Sequence, residues 1–260
     1  MTEESSQIRI GNGADRRPPV ETSPMPAYNP RGQRLGMERA YRNVGYVLVF
    51  LLPIFIAGFW IPYFSEIFHF DASITAAVHI HALLLFGFLV LLIVQPLAIR
   101  YDAFSLHRRL GKLTNFLMPL VLVFSVAMLW KEYHEHLGAG ATAAAAREAE
   151  FLSTVQLVLF GTLYGVAIAA IRHRDVATHM RCMICIALVV LPAGLARTMG
   201  YWFNMRQSTS QAVCLVLIDG SLLALLAFDV RRRVSCRIYA AVLFAYVVLE
   251  VVWVVLGRPV

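Results

Sequence analysis

Seven membrane-spanning α-helices behind a basic tail are what this sequence predicts, and three observations predict it. The chain is 59% hydrophobic and only 15% charged over 260 residues, whereas soluble domains run near 45–50% and 25%. The apolar residues gather into seven runs of about the 20 residues a helix needs to cross a bilayer. The Lys and Arg residues alternate between the gaps, rich in every second one and sparse in the rest. The runs also lack the ten-residue alternation of a barrel, so helices are the expected spanning structure.

Residues 1–44 form a separate region, with seven arginines, five acidic residues and several prolines and glycines. Residues 1–35 read as a disordered tail. No apolar stretch follows the early basic residues as in a cleaved signal peptide. The mixed charge signs without interleaved aromatics argue against nucleic acid as a partner. Residues 36–44 are expected at the interface, leading into a membrane domain over 45–260.

The predicted spans are 45–64, 74–99, 113–130, 151–171, 182–203, 211–228 and 238–256. The fifth is the least clean, because Arg197 interrupts it. All but five of the 23 Lys and Arg fall in the tail and in the second, fourth and sixth loops. Positive charge favours the cytoplasm, so the N-terminus is expected inside and the C-terminus outside. Trp60, Trp130, Trp202 and Trp253 then stand at the outer ends, as interfacial aromatics do. Pro53, Pro62, Pro96, Pro119 and Pro192 fall within or near the spans and are expected to mark kinks or ends. The third loop is Gly- and Ala-rich, and its part near Glu148 and Glu150 suits a short surface helix. No internal repeat supports an inverted-repeat transporter.

His79, His81, Arg197, Asp219 and Glu250 lie inside these greasy segments. A charge near the bilayer centre costs about 2.5–3.5 kcal/mol on insertion scales, so such residues mark functional sites or their partners. With Gln156 they fall roughly 7–12 Å from the outer face, counting 1.5 Å per residue. One depth suggests one outward-facing pocket for a small ligand, an ion or a proton. The plainer alternative is an ion pair of Arg197 with Asp219 or Glu250 that only joins helices. His79 and His81 are about 200° apart around their helix, so they face different neighbours. His79 is expected to hydrogen-bond an adjacent helix. His81 shares its stripe with Gln95, fourteen residues on, and is the histidine assigned to the pocket.

A second cluster is expected at the cytoplasmic rim. It holds His107 and Arg109 in the second loop, and His173, His179 and Arg181 in the fourth. These residues would meet a metal or an anionic head group. His179, Cys182 and Cys185 follow at i, i+3 and i+6, the spacing of a soft-metal ligand set, although cysteine in a membrane helix is usually apolar filler. His69, His134 and His136 are expected to be solvated in outer loops. No metal site is assigned.

His81, Gln95, Arg100, the run Leu106-His107-Arg108-Arg109-Leu110-Gly111, the run His179-Met180-Arg181-Cys182-Met183 and Arg197 occur in that order. Over about residues 75–200 this pattern resembles a bacterial family of polytopic membrane proteins of unknown function. Cys182 stands where that family's pattern has tryptophan. The resemblance implies the bacterial inner membrane and a common helical fold, and it implies no activity. Two other families fit less well. Two-haem cytochromes hold each haem between histidines on facing helices, and here only the second span has buried histidines, leaving His81 with Met199 as a His/Met alternative. Seven-span metal hydrolases need histidines in the last span, and residues 238–256 have none.

Three function classes follow. The first is a binding or transport-like protein centred on His81, Arg197, Asp219 and Glu250. The second is a redox protein or assembly factor holding haem, quinone or a transition metal. The third is a structural subunit whose polar layer locks helices together. The lipid bilayer is the partner common to all three.

Overall fold

The computed structural model describes residues 41–67 and 74–256, the side chain of Leu256 excepted. The predicted tail over 1–35, most of the lead-in over 36–44, and His69 lie outside the described residues. Seven helices are long and apolar enough to cross a membrane: α1 (Val44–Ile67), α2 (Ala76–Arg100), α3 (Phe104–Gly138), α4 (Ala143–Arg172), α5 (Val176–Phe203), α6 (Gln207–Arg231) and α7 (Arg237–Leu256). No strand occurs among the described residues. The bundle therefore has two ends. The basic end carries the turns over 101–103, 173–175 and 232–236, and the opposite end carries those over 139–142 and 204–206.

Several helices overrun the hydrophobic segments that predict them. At 35 residues and 1.5 Å per residue, α3 is roughly 52 Å long, well beyond the ~30 Å hydrocarbon core. Its first two turns absorb Leu106–Gly111, which the sequence suggests is loop, and its last absorb His134 and His136. The Ala-rich segment is helical as expected, but it is continuous with α4 rather than a separate surface helix. The segment His179–Arg181 likewise belongs to α5. Hydropathy marks only the greasy centre of a helix, and a polar turn outside the lipid leaves no such mark.

The prolines end fewer helices than expected. Pro96, Pro119 and Pro192 lie inside α2, α3 and α5, which run on past them. Membrane helices tolerate this because neighbours and local adjustments satisfy the freed carbonyl. In α1 the expectation holds. Pro53 has no N–H for Val49, and the helix breaks at Phe50 between Val44–Val49 and Leu51–Phe59. A π turn over Trp60–Phe64, containing Pro62, then bends its far end.

The hub of the bundle is α5, the span that looked least clean. Half of its apolar stretch is buried, against a third or less in every other helix, and it packs on α4, α1, α6 and α7. Its N-terminus is capped by Asp175, whose Oδ1 accepts the Thr178 N–H at 3.0 Å. Its C-terminus ends at Asn204, which takes the left-handed conformation at φ 51° that asparagine tolerates better than most residues. Against α1 the contact is backbone to backbone. A Cβ added at Gly58 would strike the Gly194 carbonyl, and one at Gly194 would meet Phe55 at 3.0 Å. Small residues let membrane helices approach this closely.

One polar cluster joins four chain segments inside the basic end. Arg181 Nε of α5 donates to Asp229 Oδ2 of α6 at 2.6 Å, with only 2% and 0% of the two side chains exposed. Tyr41 Oη, just before α1, donates to Asp229 Oδ1 at 2.7 Å, and Tyr239 Oη of α7 donates to Tyr41 Oη at 3.4 Å. Burial, foremost, pushes the Tyr41 phenol up to about 12, so it remains a donor at neutral pH. Arg181 Nη1 donates to Ala177 O at 3.1 Å, and its guanidinium lies 5.9 Å from the Tyr41 and Tyr239 ring centres.

Removing one member of such a pair strands the other charge, which costs about 3–5 kcal/mol. Asp229→Ala is expected to lower the unfolding temperature sharply, while Arg181→Met with Asp229→Leu recovers most of the loss. A parental melting curve for Asp229→Ala would contradict this role. A second expectation concerns the cap of α5. The Thr178 hydrogen bonds hold the Asp175 carboxyl below its ordinary value of 3.8. Its stabilisation is complete above that value and fades as pH falls through the lower folded one. Asp175→Ala should lose about 0.5–2 kcal/mol at neutral pH, and denaturant titrations should show the gap closing in acid.

Candidate functional site

The expected single layer of polar groups is divided among different helix seams. His79 turns to α1, where its Nδ1 lies 3.1 Å from Tyr63 Oη, the neighbouring-helix partner anticipated for it. His81 turns toward α5 and lies within electrostatic reach of Arg197; its Nδ1 is buried without a hydrogen-bond partner. Arg197 pairs with neither Asp219 nor Glu250. Its Nη1 donates to Ala193 O at 2.9 Å, its guanidinium lies 5.0 Å from the centre of the Phe59 ring, and its Nη2 reaches Glu132 Oε1 of α3 at 3.9 Å. Arg197 faces this seam because it lies one turn beyond Ala193 on α5, beside the place where Gly194 lets α1 come close.

Beyond Glu132 the titratable groups continue. The Glu132 side chain interacts with that of Glu150 at the start of α4, and Glu150 Oε1 lies 3.3 Å from His136 Nε2. His81, Arg197, Glu132, Glu150 and His136 therefore make a row that runs toward the opposite end and draws on α2, α5, α3 and α4. Glu150 is buried, while Arg197 and Glu132 are 41% and 44% exposed. Sequence reasoning missed Glu132, Glu150 and His136, because they lie past the apolar runs. The available signal was local: Glu132 and His136 are four apart and share a helix face.

Asp219 and Glu250 meet each other instead, across the seam of α6 and α7. Both are half-buried, and Asp219 Oδ1 has no hydrogen-bond partner. Gln156 belongs to a different place again, a groove between α4 and α7. Gln95 lies deeper toward the basic end, where its Nε2 donates to Thr114 Oγ1 at 2.9 Å.

The expected rim cluster is also only partly assembled. His107 and His179 lie within electrostatic reach of one another, and His107 interacts with the Gln95 backbone. His179 Nδ1 is 3.0 Å from Ala167 O of α4. Arg109 and His173 are exposed, and Arg181 is withdrawn into the buried pair with Asp229. Arg181 therefore belongs to the core and not to the rim, because α5 begins a turn and a half earlier than the hydropathy suggests. Cys182 and Cys185 are wholly buried among apolar side chains. Among the described residues no group of three His, Cys, Asp or Glu side chains is placed to hold a metal ion.

The chain matches no family model, no curated protein and no solved structure. What the fold and its polar groups define is a multi-pass membrane protein with titratable residues inside its helices.

Proposed function

We propose that this is a binding or transport-like protein of the bacterial inner membrane, with its N-terminus cytoplasmic, that takes up a small anion together with a proton at Arg197 and Glu132. The observation that carries the reading is the condition of Arg197. Its side chain is 41% exposed, and its ion pair with Glu132 is long, at 3.9 Å. An exposed pair of this kind is worth about 0–1 kcal/mol, so an incoming anion displaces the carboxylate at little cost. A proton on Glu132 removes the competing charge, and one anion with one proton leaves the net charge unchanged. His136 and Glu150 lead protons from the end of the bundle, as chains of acidic groups and histidines do in proton-coupled membrane proteins. His81 stands on the other side of Arg197. Its unpartnered nitrogen supplies a further contact for the bound species. The alternation of basic loops supports the orientation, and the family resemblance over residues 75–200 supports the location.

Thermal unfolding of the purified protein in chloride, nitrate, sulfate and phosphate tests this. At least one of these anions should raise the unfolding temperature of the parent. Arg197→Ala should abolish the stabilisation, and Glu132→Gln should strengthen it, because the competing carboxylate is gone. Equal responses in the parent and Arg197→Ala would sink the proposal.

A further inference from the structure

Two acids meet inside the membrane domain with no cation beside them. Asp219 lies midway along α6, and Glu250 lies six residues, roughly 9 Å, before the end of α7. Their side chains are within hydrogen-bonding reach of each other across the seam, and both are half-buried. Among the described residues neither acid takes part in an ion pair. Two carboxylates have no hydrogen to share, so they can bond to each other only when a proton lies between them. Like charges this close in a hydrocarbon setting do not both ionise.

A third group is aimed at the same place. Tyr246 stands one turn before Glu250 on the same face of α7, and it is 0% exposed. Its hydroxyl has no hydrogen-bond partner and lies within electrostatic reach of Asp219. Asp219 Oδ1 is likewise buried and unpartnered. An orphan donor thus stands near an orphan acceptor, and leaving either unpaired is costly. The other titratable groups near Tyr246 are the wholly buried thiols of Cys214 on α6 and Cys185 on α5. Among the described residues, α4 adds none where it lines the groove against α7. We infer that Asp219 and Glu250 form a proton-binding site, with the Tyr246 hydroxyl as the donor that meets the anion when a proton leaves. Loading forms an O–H bond on one carboxylate oxygen. Release breaks that bond, sends the proton to the aqueous side nearest Glu250 and turns the Tyr246 O–H onto Asp219 Oδ1. The site is separate from Arg197 and Glu132 and does not rest on their role.

The test treats the full chain in phosphatidylcholine vesicles with dicyclohexylcarbodiimide, a lipid-soluble reagent that adds to a protonated carboxyl and not to a carboxylate. Peptide mass spectrometry locates the adduct. At neutral pH Asp219 or Glu250 of the parent should be modified, and labelling should fall as the pH is raised. Tyr246→Phe removes the donor to the anion, so its labelling should persist to about tenfold to hundredfold lower proton concentration, the worth of one hydrogen bond to a charge. Asp219→Asn with Glu250→Gln should leave no adduct in α6 or α7. Arg197→Ala should be labelled as the parent is, which separates this site from the anion site. Modification of neither acid at neutral pH, or one pH profile shared by the parent and Tyr246→Phe, would overturn the inference. So would protection by sodium chloride that choline chloride does not give, since the pair would then belong to a metal cation.

Discussion

Everything at the basic end depends on the Arg181–Asp229 pair. A bilayer interior offers no water to a stranded charge, so Asp229 on α6 and Arg181 on α5 must meet once both are buried. Their meeting sets the rotation of both helices about their axes. The second oxygen of Asp229 then draws in Tyr41, and Tyr41 draws in Tyr239. In this way the turn before α1 and the first turn of α7 are fixed by a carboxylate that belongs to neither. Because the pair is spent on structure, it is unavailable for chemistry. The groups that remain open lie elsewhere: Arg197 with its distant carboxylate, and the Asp219–Glu250 pair.

This division explains why depth alone is a weak guide to a site. Polar residues at one level of a bundle share a site only if their helices turn them toward the same seam. Rotation is set by close packing, and here Gly58 and Gly194 set much of it. With α1 pressed onto α5 at that point, Arg197 looks toward α1, α2 and α3, and Asp219 and Glu250 are left to each other across α6 and α7.

The spans were legible because lipid imposes a composition on twenty consecutive residues, and no tertiary detail is needed to read it. That His79 and His81 face different neighbours was foreseeable for a similar reason, since about 200° separates them on any helix. Other features left no mark in the sequence. Asp229 stands beside Arg231, Arg232 and Arg233, so it resembles a loop residue, yet its side chain is the most completely buried acid among the described residues. Glu132 and Glu150 are separated by a turn between two helices, and only the folded hairpin of α3 and α4 brings them together. Tyr246 and Gln156 look like an ordinary aromatic and an ordinary amide, and only their lack of partners distinguishes them.

The glycine contact between α1 and α5 also bears on how such a bundle moves. Where Gly58 meets the Gly194 carbonyl no side chain separates the two backbones, so at that point there is no rotamer to switch. Thr198 Oγ1 donates to Ile54 O at 3.0 Å, and Trp202 Nε1 donates to Ala57 O at 2.9 Å, fastening the two helices one and two turns past Gly194. Relative sliding of α1 and α5 would have to break both hydrogen bonds and part the two glycines.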